Sequence, residues 1–282
     1  MKTLRGSSLS VVLSGALLAL AGTALAAESP AGQPVTIGTS YRIDSALLKQ
    51  QRPLHVYLPP SYAEGKQRYP VLYLLDGGVQ QDFLHVAGVA SLAADYRNIR
   101  EFIVVGIETL DRYHELVHPS EVGLERERLP TAGGSQKFRA FLASELLPFV
   151  QQQFRVTDES VLMGESAAGL FVMETFLQQP DLFQGYVAIS PSLWWNQQSL
   201  AATAPGFSKR ADYRNKRLYL SIADEGGTMQ DGMNQLVNAL KAEAPAGLQW
   251  QYRPMPQENH GTIYHPAVLD AVRTLFAIQP AH

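Results

Sequence analysis

Residues 160–176 read SVLMGESAAGLFVMETF. An apolar run over 160–164 stops at small residues around Ser166 and gives way to a helical pattern from Ala168. A strand that turns straight into a helix strains the backbone of the corner residue, so its neighbours must lack bulk. Gly164, Ala167, Ala168 and Gly169 meet that demand. Such a corner lifts its hydroxyl to the strand end and sets a helix N-terminus beside it. Ser166 is therefore a candidate nucleophile, and a serine that merely caps the helix is the alternative. The second small position holds Ala168 where glycine is usual, and Gly169 follows.

Outward from this corner, strand patterns recur at 35–43, 53–59, 69–76, 101–108, 185–190, 217–223 and 248–255. The middle ones are nearly continuous apolar runs, as expected of strands covered on both faces. The first two alternate more and suit an antiparallel edge hairpin. Helical periodicity marks 135–154, 168–179, 229–244 and 266–278, with Ser135 placed to cap the first. Strand and helix in alternation predict an α/β fold, a mostly parallel sheet with helices on both faces. No linker divides 27–282, so a single domain is expected. The segment 114–134 reads as long and irregular, a candidate rim or lid.

A serine hydroxyl needs a base, and the base needs an orienting acid. The corner resembles the nucleophile elbow of α/β-hydrolases, and that resemblance implies that acid and then histidine follow the nucleophile in the chain. Only His260, His265 and His282 come after Ser166. His260, in PQENHGTIYHP, lies between the last strand and the last helix and is preferred; His265 reads as the start of that helix and His282 ends the sequence. RLYLSIADEGG (217–227) offers Asp224 and Glu225 as the acid. Glu225, next to Gly226-Gly227, is the first choice, and the roles could be exchanged. An oxyanion would need two backbone donors. These are expected at Ala167 and, in LLDGGVQQDF, at Gly78 or Val79, the glycines allowing close approach. No metal-ligand spacing is present, and the chemistry calls for no cofactor.

Composition bounds the rest. Of 282 residues 46% are hydrophobic and none is cysteine, which removes disulfides, thiolate metal sites and cysteine nucleophiles together. Residues 1–26 carry Lys2 and Arg5, a short apolar stretch and ALA at 24–26, the layout of a cleaved signal peptide. Export to the periplasm or beyond is expected, with no integral membrane segment after cleavage. Removing Lys2 and Arg5 from the 23 basic residues leaves 21 against 26 acidic ones, net −5, which argues against nonspecific nucleic-acid binding. The densest basic stretch, KRADYRNKR (209–217), reads as a solvated loop.

Seven segments in order, VYLPPSY, YPVLYLLDG, GIETLDRYHEL, GGSQKFRAFLASELLPFV, GESAAGLFVMETFL, ISPSLWWNQ and the NHGT loop, resemble the esterase family of α/β-hydrolases that includes the bacterial trilactone siderophore esterases and is related to esterase D. The likeness runs from about residue 36 to 277. It implies the α/β-hydrolase fold, Ser166 as nucleophile and His260 as base. Some of the siderophore enzymes are described as working with a serine–histidine pair, which would make an acid at 224 or 225 less important. It also implies that Trp194 and Trp195 line or support the pocket beside the serine, although core packing suits one of them. Arg112 matches a family segment; it either binds an anionic substrate group or pairs with Asp111 or Glu115. The expected activity is hydrolysis of a small-molecule carboxylic ester, a siderophore trilactone being the most specific candidate. An acyltransferase and a non-catalytic binding protein of the same fold are the rivals.

Overall fold

A computed structural model of the chain describes residues 32–96 and 99–278. The expected signal peptide and His282 lie outside the described residues. From Thr36 onward the chain clusters as one unit.

All eight expected strands form, in one sheet. They are β1 (Thr39–Ser45), β2 (Gln50–Tyr57), β3 (Tyr69–Leu74), β4 (Ile103–Ile107), β5 (Val156–Glu165), β6 (Gly185–Ile189), β7 (Arg217–Ala223) and β8 (Gln249–Met255), in the order β1-β2-β4-β3-β5-β6-β7-β8. The β1–β2 and β2–β4 pairs are antiparallel and every later pair is parallel. The hydropathy pattern follows position. The interior strands β3, β4 and β6 are buried at every residue, whereas the edge strands β1 and β8 keep exposed positions.

The helices, in chain order, are α1 (Ser61–Glu64), α2 (Phe83–Asp95), α3 (Arg112–Leu116), α4 (Gly123–Arg128), α5 (Ser135–Phe141), α6 (Leu147–Gln153), α7 (Ala167–Gln178), α8 (Trp195–Ala202), α9 (Gly227–Glu243) and α10 (Tyr264–Leu275). The core divides across the sheet. Phe138, Phe141, Leu146, Phe171, Phe176 and Leu236 belong to one apolar cluster, from α5 to α7 and α9. Val86, Ala90, Val268 and Val272, from α2 and α10, belong to a second. Both faces are thus covered, and this is the α/β-hydrolase arrangement expected.

Three local expectations need correction. The single helix over 135–154 is two helices joined by a π-helical turn, Leu142–Leu146. Pro148 explains the break, because it has no N–H to continue the α pattern. Ser135 does not cap α5; its hydroxyl donates to Glu174 Oε1 at 3.0 Å instead. The segment 114–134 is irregular only in part. It carries α4 and is pinned to α8: Trp195 Nε1 donates to His118 O at 2.8 Å, the Glu121 N–H to Asn196 Oδ1 at 2.9 Å, and the Asn196 N–H to Glu125 Oε2 at 3.2 Å.

A buried ion pair fixes α3 to the sheet. Arg52 of β2 donates to both oxygens of Glu115, at 2.7 and 2.9 Å, and to Glu108 O at 2.7 Å. The two side chains are 0% and 4% exposed. Burying both charges is costly, but removing one partner strands the other in a dry interior. Glu115→Ala is therefore expected to cost about 3–5 kcal/mol in urea unfolding. An Arg52→Met/Glu115→Leu double variant, with no stranded charge, should recover most of that loss.

Candidate active site

Three strand ends converge. Ser166 follows β5, Glu225 lies two residues beyond β7, and His260 sits between β8 and α10. The C-terminal edge of a parallel sheet is where side chains from separate strands can meet.

The corner at Ser166 is built as its sequence demands. Its backbone lies at φ 58°, ψ −118°, a region costing about 1–3 kcal/mol for a residue with a side chain. The Ser166 N–H donates to Ile189 O at 3.0 Å, while its carbonyl accepts from the Leu170 and Ser192 amides at 2.8 and 2.9 Å. The alanine at 168 is accounted for by packing. A Cβ on Gly164 would lie 2.6 Å from Ala168 Cβ, so the two positions share a space that admits one methyl. Gly169 takes the other close approach: a Cβ there would lie 2.9 Å from Ile189 O and 3.1 Å from Pro191 Cα.

His260 Nε2 lies 3.1 Å from Ser166 Oγ, and His260 Nδ1 lies 2.8 Å from Glu225 Oε1. A carboxylate only accepts, so Nδ1 carries the proton and Nε2 is left as an acceptor for the serine. The Glu225 side chain is 8% exposed and the His260 side chain 44%. The acid is thus enclosed while the imidazole meets solvent. Of the two acids left open, Glu225 faces the histidine. Asp224 is exposed, and its N–H donates to Glu258 O at 3.0 Å. Gly226 and Gly227, at φ 63° and 47°, turn the chain from the acid into α9. His265 lies in α10 with its ring 4.5 Å from that of His85. His114 and His118 bond to Thr131 O and Ser199 Oγ.

Of the two alternatives in the turn after β3, Gly78 is the more tightly held. Its N–H donates to Gln81 Oε1 at 2.9 Å and is already engaged. The same Gln81 oxygen accepts from the Thr109 N–H at 3.3 Å, and Gln81 Nε2 donates to Thr109 O at 3.1 Å. The glycine pair serves packing. A Cβ on Gly77 would lie 2.4 Å from Gly106 Cα, and one on Gly78 would lie 2.9 Å from Glu108 Cγ. The amides of Val79 and Ala167 have no hydrogen-bond partner among the described residues. Val79 is 39% exposed, and Ala167 opens α7, where no preceding helical turn can accept its N–H.

Arg112 pairs with neither expected partner. Its Nε donates to Asp76 Oδ2 at 2.8 Å and its Nη2 to Glu165 O at 3.3 Å, bridging the β3 turn to the Ser166 corner. Asp111 instead caps α3, and Glu115 holds Arg52. The tryptophans diverge. Trp195 is 1% exposed in the core, and Trp194 is half-buried against it with the rings at 72°.

Sequence reasoning did not single out the acidic ground beneath the serine. Burial, reinforced by the negative charge of Asp82, pushes the Glu165 carboxyl up to about 8. Burial, reinforced by Asp76, pushes Asp82 up to about 6. Glu165 Oε1 and Asp76 Oδ1 are buried without hydrogen-bond partners among the described residues. The signal was faint, because these acids are scattered along the chain and only the fold gathers them. Ser192, whose hydroxyl lies 3.2 Å from Ser166 Oγ, was also missed.

An α/β-hydrolase sheet with serine, imidazole and carboxylate in line at its carboxyl edge defines the class of protein. The family model described as "Putative esterase" matches residues 45–264, and the chain belongs to that family. It is 25% identical over 267 residues to the ferri-bacillibactin esterase BesA of Bacillus subtilis, covering 86% of this chain and 90% of that protein. An IroE-like serine hydrolase from Shewanella oneidensis superposes with a TM-score of 0.76 at 30% identity, over 86% of this chain and 82% of the other. The BES protein from Bacillus cereus gives 0.77 at 20% identity, over 89% and 99%, a likeness of fold. The chain is a carboxylic ester hydrolase.

Two outcomes test this geometry. Gly164→Ala forces a second methyl into the space of Ala168 and should cost about 1–3 kcal/mol by urea unfolding. Glu165 supplies a pH signature. Its folded pKa lies above the ordinary 4.5, so the folded state holds the proton more tightly than the unfolded state does. Stability from this group is full below about 4.5 and is lost as pH rises through about 8. Glu165→Gln keeps the uncharged shape at every pH. Its melting temperature should gain on that of the wild type as buffers are stepped from pH 5 to pH 9.

Proposed function

We propose that Ser166, His260 and Glu225 act as a nucleophile, base and orienting acid in the hydrolysis of small-molecule esters. The observation that carries this reading is the unbroken line Ser166 Oγ, His260 Nε2, His260 Nδ1, Glu225 Oε1, with contacts of 3.1 and 2.8 Å. Ser166 Oγ attacks the ester carbonyl while its proton passes to Nε2. Glu225 holds the tautomer and steadies the imidazolium that forms. The oxyanion is held by the amides of Ala167 and Val79, the former at the positive end of α7. The imidazolium then protonates the departing alcohol and, once neutral, takes a proton from the water that cleaves the acyl-enzyme. The exposed His260 is open to water as the acceptor, and the esterase family and relatives support hydrolysis over acyl transfer.

The substrate reading is a siderophore ester: BesA, named a ferri-bacillibactin esterase, aligns over most of both chains, a shorter match is named a siderophore enterobactin esterase, and the trilactone type is what the family resemblance implies. Arg112 is engaged by Asp76, so it is assigned here to holding the site together and not to binding an anion. The basic stretch 209–217 runs into the start of β7, the end of that strand away from Glu225, and does not serve the ester either. Export through the segment 1–26 belongs to the same proposal, and sequencing the amino terminus of the protein purified from its periplasm should find Ala27 first.

Trilactone and p-nitrophenyl acetate hydrolysis, measured side by side, test the function. Ser166→Ala and His260→Ala should each lower kcat by about 10⁴-fold or more, and Glu225→Gln by roughly 10²–10⁴-fold. Undiminished turnover by Ser166→Ala would refute the assignment. Full activity in Glu225→Gln would reduce the triad to a pair. Hydrolysis of the aryl ester with an inert trilactone would remove the siderophore.

A further inference from the structure

The turn after β6 grips Ser166 twice. The Ser192 N–H donates to the Ser166 carbonyl at 2.9 Å, and Ser192 Oγ lies 3.2 Å from Ser166 Oγ. Ser192 is 5% exposed, and its hydroxyl has no other hydrogen-bond partner among the described residues. The turn itself is held firmly. Ser190, at φ 37°, donates through its N–H to Ser221 O at 2.9 Å and accepts the Ala223 N–H on its hydroxyl at 3.2 Å. Pro191 packs where Gly169 leaves room.

Two hydroxyls in contact leave the direction of the hydrogen bond open, and the neighbouring groups decide it. Glu225 accepts from His260 Nδ1, so Nε2 is an acceptor and takes the one proton of Ser166. Ser166 then has no proton left for Ser192. We propose that Ser192 is a second donor to the reacting oxygen: its hydroxyl aims the Ser166 proton at His260 and stabilises the negative charge that builds on Oγ. The inference rests on the Ser166–His260–Glu225 reading above.

The steps balance without another reactant. During attack the bond from Oγ to the carbonyl carbon forms, the carbonyl π pair moves onto its oxygen, and the Ser166 proton goes to Nε2. Ser192 keeps its own proton throughout. In the acyl-enzyme Oγ is an ester oxygen and a weak acceptor. When the water adduct collapses, the bond from Oγ to carbon breaks, Oγ takes the pair and then the proton from His260, and the contact with Ser192 is restored. The Ser192 bond is therefore strongest when Oγ carries most charge, which is the condition for lowering a barrier and not merely holding the resting state.

The test compares Ser192→Ala, Ser192→Thr and Ser192→Val on p-nitrophenyl acetate, with the rate of fluorophosphonate labelling as a second readout and the melting temperature as a control for folding. Thr and Val have the same shape, and only Thr has the hydroxyl. Ser192→Ala should lower kcat/KM by about tenfold, chiefly in kcat, and slow labelling in parallel. Ser192→Thr should exceed Ser192→Val several-fold in both readouts. Ser192→Ala within twofold of wild type, or Thr and Val equally slow, would overturn the proposal. A Ser166→Ala control separates the two levels. If it abolishes labelling while Ser192→Ala is unimpaired, the role of Ser192 alone fails; if it still labels, the triad reading fails and takes this inference with it.

Discussion

Crowding around one backbone corner governs this molecule. Ser166 holds an unfavourable φ of 58° because its neighbours on three sides leave the chain nowhere else to go. Gly164 and Ala168 share the space of a single methyl, and Gly169 lets α7 settle against the end of β6. Both backbone groups of Ser166 are hydrogen-bonded, to Ile189 on one side and to Leu170 and Ser192 on the other. The strain is offset by packing that lies mostly outside the serine. Because α7 is buried over its first eleven residues, the corner is anchored in the core and not draped over a surface.

The same corner organises the electrostatics. Arg112 reaches from α3 to Asp76 and to the Glu165 carbonyl, joining the turn after β3 to the turn after β5. Its helix is fixed in turn by the dry Arg52–Glu115 pair. Around this bridging guanidinium lie Asp76, Asp82 and Glu165, and burial keeps the last two from ionising at their ordinary pH. Raising these two carboxyls eases the repulsion among neighbouring acids that burial would otherwise make severe.

Much of this was legible in the linear sequence, for physical reasons that differ by element. The strands showed because burial on both faces writes continuous apolar runs, as in β3 and β4. Ser166 and His260 showed because a strand-to-helix corner and a histidine before the last helix are local patterns. Glu225 and Asp224 could not be separated, since adjacent residues diverge in space and only coordinates say which one turns inward. The partner of Arg112 lies 36 residues upstream, and no local rule points to it. The Gln81 side chain that engages the Gly78 amide follows from how the turn folds, and no pattern of the linear sequence announces it. The π-turn before Pro148 and the left-handed residues Asn196, Gln197 and Gln198 inside α8 are likewise tertiary outcomes.

The bond from the Asp224 amide to the Glu258 carbonyl joins the loop bearing the carboxylate to the loop bearing the imidazole. The two excursions are thus tied edge to edge, though 35 residues separate Glu225 from His260. Anyone recombining segments between members of this family would need to exchange both excursions as one cassette, since a transplant of either alone sets a foreign edge against a native one.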